Sequence, residues 1–441
     1  MSDKLKLITA FFAALCLLSA HDLRAQDTRK ITLKEAIDLG IASSHLLKSN
    51  KAKIDEAIAA SREAKERRLP DFNISGSYLY LPVKPTINLK ADSAGNGGSS
   101  PKVSQAMYGI VGISLPIFSG GKLKYGTESA KYLEQAARFD AEENREAIIL
   151  NIIDAFINLF KSGAAVVLVK ENLDQSIQWV KDFSNLERNG LLARNDLLKV
   201  ELQSSNIELA LLDAESNLKI AGVNMALMLG MPEQTLLIPD TASLKQTINV
   251  KSIEEYEQLA LLERKDVAAL SLRKKVAVLG ISSAKADYYP NLSLTAGYIA
   301  ADIPGFLTIT NAVNAGVGVK YNLSSLWKTK SKIAQAEARL QQLTASQEMQ
   351  YDNIRLQINQ AYQAYLLSQK KIDVYQKAVE QATENYRITK NKYDNALATT
   401  TDLLDSDVAR LQTKLSLTNA AADAVAAYHK LLQTAGILNN N

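Results

Sequence analysis

The sequence predicts an α+β fold built as an internal tandem duplication, each half joining a pair of β-strands to helices too long for an ordinary compact domain. Three observations carry this reading: a self-match along the chain, the placement of the prolines, and period-two alternation ahead of each long helix. With 441 residues, 47% hydrophobic and 22% charged, the chain has material for a large core. Lys plus Arg is 51 against Asp plus Glu 47, with no long single-sign block, which argues against a nucleic-acid surface.

The first 25 residues read as a secretory signal peptide. Lys4 and Lys6 precede an apolar run from Leu7 to Ala20, and small residues at Ala20 and Ala25 offer cleavage sites. The only cysteine, Cys16, lies inside this segment, so the mature chain is expected to carry no thiol. After residue 26 no apolar run approaches the ~18–20 residues of a spanning helix, so membrane insertion would fall to β-strands or surface attachment.

The duplication divides the mature chain into a first repeat, 26–240, and a second, 241–441. The segment Pro70-Asp71-Phe72-Asn73-Ile74-Ser75-Gly76-Ser77-Tyr78 returns as Pro290-Asn291-Leu292-Ser293-Leu294-Thr295-Ala296-Gly297-Tyr298, an offset of 220 (290 − 70). Leu33, Leu39, Leu47 and Ala64 match Ile253, Leu259, Val267 and Ala284 at that offset. Asp196-Leu197-Leu198 returns as Asp402-Leu403-Leu404, an offset of 206 (402 − 196), which also relates Gly112 to Gly318 and Gly230 to Gly436. The 14 extra residues of the first half (220 − 206) fall in the Gly- and Ser-rich stretch Ala91 to Ser100, expected to be a flexible loop. The whole connection from Pro82 to Lys102 joins two strands and is expected at a surface.

All nine prolines lie at 70, 82, 85, 101, 116, 232, 239, 290 and 304. Since proline breaks helix interiors, the two proline-free stretches Ile117–Met231 and Gly305–Asn441 are where very long helices are permitted. The stripe Ile148, Ile152, Ala155, Phe156, Leu159 and its counterpart Ile354, Ile358, Ala361, Tyr362, Tyr365 have helical spacing. From Lys122 to Arg188 there are 67 residues (188 − 122 + 1), which as a helix would extend roughly 100 Å. Lengths of this order suit an Ala-rich coiled-coil column.

Ahead of each long helix the pattern switches to period two, in strand pairs at about 71–117 and 291–323. Phe72, Ile74, Gly76, Tyr78 and Tyr80 oppose Asn73, Ser75 and Ser77, while Met107, Gly109, Val111, Ile113 and Leu115 make an apolar face. Leu292, Leu294, Ala296, Tyr298 and Ala300 oppose Asn291, Ser293, Thr295 and Gly297; Val313, Ala315, Val317, Val319, Tyr321 and Leu323 oppose Asn314, Gly316, Gly318, Lys320 and Asn322. Strands of about ten residues, apolar on one face and Tyr-rich near an end, suit a lipid-facing barrel. An ordinary antiparallel sheet packed on helices fits the same pattern. Four strands cannot close a conducting barrel, so in a bilayer several subunits would have to share one.

In this order of parts and its duplication the chain resembles the TolC family of outer-membrane efflux proteins over essentially all of its mature length. The resemblance implies an α+β membrane protein in which each of three protomers gives four strands to one trimeric β-barrel, continued by a periplasmic tunnel of long coiled-coil helices. It implies location in the outer membrane with a periplasmic extension, and a passive exit duct of a tripartite efflux pump or type I secretion system. The partners implied are two further copies, a periplasmic adaptor protein, an inner-membrane pump and outer-membrane lipid, with no nucleic acid and no cofactor.

The best local match lies where each long helix ends, at Arg188-Asn189-Gly190-Leu191-Leu192-Ala193-Arg194-Asn195-Asp196 and Tyr393-Asp394-Asn395-Ala396-Leu397-Ala398-Thr399-Thr400-Thr401-Asp402. Chemically a Gly or Asn permits a left-handed helix cap, Asn195 or Thr401 can cap the next helix, and an acid favours that helix's positive end. Asp196 and Asp402 are equally readable as first-turn acids that stabilise a helix. By resemblance, Asp402 and Asp405 match acidic positions ringing a closed periplasmic aperture, and Asp196 and Tyr393 match positions tying neighbouring helices together. Gly190, Leu191, Ala396 and Leu397 correspond to the tips that meet the adaptor. Two positions depart from the family pattern: Ala396 replaces the second tip glycine, and Ala398 stands where an Arg is usual, leaving Arg194 of the other repeat to supply that cation.

Catalysis has little material. Three histidines at 21, 45 and 429 give no basis for a metal site or a triad, and Ser119-Gly120-Gly121-Lys122 lacks the spacing of a phosphate loop. No catalytic or metal-ligating residue is therefore expected. A soluble periplasmic coiled-coil adaptor would share the signal peptide and the helices but has no use for four amphipathic strands.

Overall fold

A computed structural model describes residues 28–83, 103–240 and 250–438. The expected signal peptide with Cys16, and most of the 82–102 connection with its inserted residues, lie outside these.

Both halves follow one order. The first runs β1 (Thr28–Ile31), α1 (Leu33–Ser43), α2 (His45–Glu66), β2 (Asp71–Tyr80), β3 (Gln105–Phe118), α3 (Lys122–Arg188) and α4 (Arg194–Leu229). After β4 (Leu236–Pro239), the second runs α5 (Ile253–Glu263), α6 (Lys265–Lys285), a single 3-10 turn at Ala286–Tyr288, β5 (Asn291–Ile303), β6 (Leu307–Lys320), α7 (Ser325–Asp394) and α8 (Thr400–Thr434). The helix starts carry their signals: Thr32 accepts from the Glu35 N–H at 3.2 Å, and Ser252 with Glu255 forms a reciprocal capping box. α3 has 67 residues and α7 has 70, each roughly 100 Å long. The second begins at Ser325, where Asn322 and Ser324 make the turn that starts it.

The described residues of Met1–Lys48, Asn144–Arg264 and Asn353–Asn441 form one unit. Its largest core gathers Ile31, Ala36, Ile148, Ile152, Phe156, Leu159, Ala221, Met225, Leu229 and Leu237, so the helical stripe read at 148–159 is indeed the buried face. The parallel pair β1 and β4, in register from Thr28 with Leu236 to Ile31 with Pro239, closes this core. α3 corrects one expectation: an 18-residue window within it is long and apolar enough by composition to cross a membrane. Single polar residues break the run, yet the window average stays apolar. The apolar segment 148–159 of the same helix is instead packed into this core.

The second unit, Ser49–Glu143 with Lys265–Asp352, holds the antiparallel sheet β2-β3-β5-β6. β3 and β5, one from each half, pair at its centre, leaving β2 and β6 as open edges. The predicted apolar face is bare: Phe72 is 69% exposed, Ile74 83% and Val313 78%. Among the described residues of this unit no helix covers it, unlike the alternative of a sheet packed on helices. The predicted alternation extends past β6, which ends at Lys320, so Tyr321 and Leu323 continue the apolar pattern in the turn.

Below the sheet, Asp287 accepts from Lys122 of α3 and, at 2.6 Å, from Lys332 of α7. Burial alone would raise its carboxyl, but the two ammonium groups outweigh burial and hold it below the usual carboxylate range. Both long helices are thereby tied to the turn that opens β5. Ser119-Gly120-Gly121 is the strand-to-helix turn; Gly120 has φ 62° and comes within 2.7 Å, measured from an added Cβ, of the Ala286 carbonyl oxygen.

Candidate functional site

The two helix-to-helix tips of the first unit are built by the same backbone device. At the end of α3 the Leu191 N–H donates to the Leu186 carbonyl at 2.9 Å and the Gly190 N–H to that of Glu187 at 2.9 Å. At the end of α7 the Leu397 N–H donates to Lys392 at 2.8 Å and the Ala396 N–H to Tyr393 at 2.9 Å. This is the Schellman closure, whose pivot must be left-handed. Gly190 has φ 73°, and Ala396 takes φ 58° in the same role although its Cβ resists that conformation. The departure from glycine at 396 thus leaves the turn intact and adds strain. At each tip the following leucine stands out, Leu191 being 74% and Leu397 76% exposed.

The helix starts correct the expected caps. Ala193, not Asn195, is the N-cap of α4 and has no side-chain cap bond. Thr399, not Thr401, caps α8: its Oγ1 accepts from the Asp402 N–H at 3.1 Å, and the Asp402 carboxylate accepts from the Thr399 N–H at 2.9 Å and hydroxyl at 2.6 Å. In both starts the residue three before the acid is the cap, and at Thr399 that spacing brings the Asp402 carboxylate back to the cap's backbone. The Thr399 hydroxyl and, next, its N–H hold the Asp402 carboxyl below its ordinary value. Asp402 therefore acts as a capping acid in this chain. Asp405, one turn on, is exposed and makes no hydrogen bond or ion pair among the described residues.

Asp196 accepts from Lys199 at 3.1 Å. The Tyr393 ring stacks on Phe183 at 5.5 Å with planes 5° apart, and its hydroxyl hydrogen-bonds Thr400. Burial raises the Tyr393 pKa, the Thr400 bond opposes this, and the negative charges of Asp196 and Asp394 add to the rise. Arg194 lies 4.0 Å from Glu187 of its own tip, so within the chain it serves that carboxylate.

Sequence reasoning passed over a buried polar network beneath the tips. Asp407, 3% exposed, accepts from Asn172 at 2.8 Å and from Arg410 at 2.5 Å. The same guanidinium donates to Gln175 at 2.8 Å and lies 3.8 Å over the Tyr386 ring, whose hydroxyl accepts from Gln175 at 2.6 Å. Trp179 stacks on the ring at 6.3 Å, and Phe183, Leu197, Val200, Leu403 and Leu404 complete the apolar surround. Burial raises the Tyr386 pKa, partly offset by Arg410. α3, α7 and α8 are thus joined through one guanidinium. The available signal was Asp407 itself, four residues after Leu403 on the stripe that Leu403 and Leu404 begin. Among the described residues no group of three or more His, Cys, Asp or Glu is placed to hold a metal ion.

Comparison with known proteins agrees with this architecture. The model of the family described as outer membrane efflux protein matches residues 36–231 and 257–437, once in each half. Nodulation protein T of Rhizobium leguminosarum bv. trifolii is 23% identical over 422 residues, covering 90% of this chain and 83% of its own. Cation efflux system protein CusC of Escherichia coli is 22% identical over 403 residues, covering 87% and 81%. Among solved structures, that of CusC has TM-score 0.78 at 17% identity, covering 92% of each chain. VceC of Vibrio cholerae has TM-score 0.75 at 20% identity, covering 92% of this chain and 96% of its own. Sheet, long helices and paired tips define a channel-forming protein of the outer membrane and not an enzyme. The chain belongs to the outer membrane efflux protein family.

Proposed function

We infer that three copies of this chain, each a tandem pair of repeats 26–240 and 241–441, pool twelve strands into one barrel and continue it with a periplasmic helical tunnel. The assembly is the passive exit duct of a tripartite efflux system. The observation that carries this reading is a four-stranded sheet with a bare apolar face and two open edges. Such a sheet is unstable in water, exposing both aromatic surface and unpaired backbone, and lipid together with neighbouring copies satisfies both. The helices support the same assembly. Leu198, Leu202, Leu209, Leu212, Ile220 and Leu227 lie exposed along α4, and Met349, Leu356, Leu367, Val374 and Ile388 along α7. Stripes with near-heptad spacing are seams awaiting neighbouring helices.

The paired tips are the adaptor-facing end, where Leu191 and Leu397, each presented by a rigid turn at Gly190 or Ala396, offer knobs to a partner's coiled coil. Asp405, free one turn into α8, is the principal aperture acid; Asp402 adds charge but is held by its cap. Asp196 and Tyr393 position the two helix starts. The inner-membrane transporter and its adaptor select the cargo.

Separation of envelope fractions tests this reading. The mature chain is expected in the outer membrane, resistant to carbonate extraction and migrating as a trimer in mild detergent; recovery as a soluble periplasmic monomer would overturn it.

A further inference from the structure

The polar face of the sheet carries one row unlike its neighbours. Register sets Asn73, Gly112, Gly297 and Asn314 side by side across β2, β3, β5 and β6. A Cβ on Gly112 would stand 2.6 Å from Asn73 Oδ1, and one on Gly297 3.2 Å from Asn314 Oδ1 and 2.9 Å from the Val111 carbonyl oxygen. Each carboxamide therefore lies over the neighbouring glycine instead of projecting from the sheet. Toward the helices the adjacent row is Asp71, Ser114, Thr295 and Gly316, followed by Lys320 at the end of β6. Toward the hairpin ends come Ser75, Ile110, Ile299 and Ala312, then Ser77, Tyr108, Ala301 and Ile309. The amide row is thus the last strongly polar level before an aliphatic one, and from it through the Ser77 row this face holds no charge.

We propose that Asn73 and Asn314 are specificity-determining residues of the conduit, two tiers of three carboxamides that make this level of the barrel, beyond the Asp71 row, indifferent to the sign of a solute's charge. The proposal rests on the shared-barrel reading above. A carboxamide presents both donor and acceptor, so it meets an anion and a cation on equal terms, where a ring of carboxylates or ammonium groups selects one. Each row crosses strands tilted by about 40°. Three strand spacings of ~4.8 Å then set the Asn73 and Asn314 tiers roughly 9 Å apart along the axis. Gly112 and Gly297 keep the passage wide, since a side chain at 112 would lift the Asn73 amide into it.

The test records single channels of the full-length protein in planar bilayers, with hexaamminecobalt(III) added from the hairpin side. Asn73→Asp and Asn314→Asp are each expected to create block at a concentration about tenfold or more below that needed for wild type from that side. Block from the helical side is expected to stay at its wild-type value, because the tip acids are untouched, and Asn73→Gln and Asn314→Gln are expected to behave as wild type. Asp variants that insert normally yet show wild-type block from the hairpin side overturn the proposal. So does a failure of Asp variants to insert where the Gln variants succeed, because that places these side chains against lipid. A wild-type protein that forms no channel overturns the shared-barrel reading itself, a result distinct from either.

Discussion

Replacing Arg410 by methionine keeps most of its apolar stem and removes the one cation that serves Asp407, Gln175 and the Tyr386 ring together. Asp407, 3% exposed, then keeps only its Asn172 donor. Stranding a buried charge costs on the order of 3 kcal/mol per protomer. Replacing Asp407 by asparagine removes that charge, and in the Arg410→Met, Asp407→Asn double variant the loss should shrink to about 1 kcal/mol. The cycle thereby yields a coupling of roughly 2 kcal/mol plus whatever Asp407→Asn costs alone. Trp179 reports on the site because it stacks on Tyr386, and a Trp327→Phe background leaves it as the one tryptophan of the chain. Denaturant unfolding of the purified protein, followed by Trp179 fluorescence, measures all four corners. Additive losses in the double variant, or no loss in Arg410→Met, would show that the guanidinium is not what joins α3, α7 and α8.

Further expectations concern the tips. Ala396→Gly should stabilise the second tip by about 1 kcal/mol and Gly190→Ala destabilise the first by a similar amount, because nothing lies within 4 Å of a Cβ at 190 and the effect is purely one of φ; thermal unfolding reads both signs. Asp402 has a lowered native pKa, so its stabilisation is complete above its unfolded pKa and is lost as pH falls through the lower native one. The melting difference between wild type and Asp402→Asn should accordingly be full above about pH 4 and vanish in stronger acid. Asp405→Ala should relieve block by multivalent cations from the helical side without altering unfolding, whereas Asp402→Ala should weaken the start of α8; the opposite assignment of effects would reverse the two roles.

The large elements were legible because their signals are local and repeated. Proline exclusion and the stripe from Ile148 to Leu159 mark α3, and alternation at 72–80 and 313–319 marks β2 and β6. What sequence could not resolve was which of several competent residues does a job. Asn195 and Thr401 are good capping types, yet the chain uses Ala193 and Thr399; Asp402 at the third helical position returns to Thr399, while Ala193 caps with no side-chain bond. The Arg410 network was hidden for another reason: Asn172 and Asp407 are 235 residues apart, and only the packing of three helices brings them together. The bare sheet face was visible as alternation, but alternation alone does not say whether helices or lipid cover it.

Oxidative cross-linking between sheet edges tests the central claim most directly, since the described chain has no cysteine to interfere and the only one in the sequence is Cys16. One cysteine is placed on β2 at Asn73, Ser75 or Ser77 and one on β6 at Ala312, Asn314 or Gly316, and each pair is oxidised in intact outer membranes. If β2 of one copy lies against β6 of the next and three copies close the ring, at least one pairing gives covalent trimers and nothing larger. Monomers from every pairing, or a ladder running past three, would contradict it.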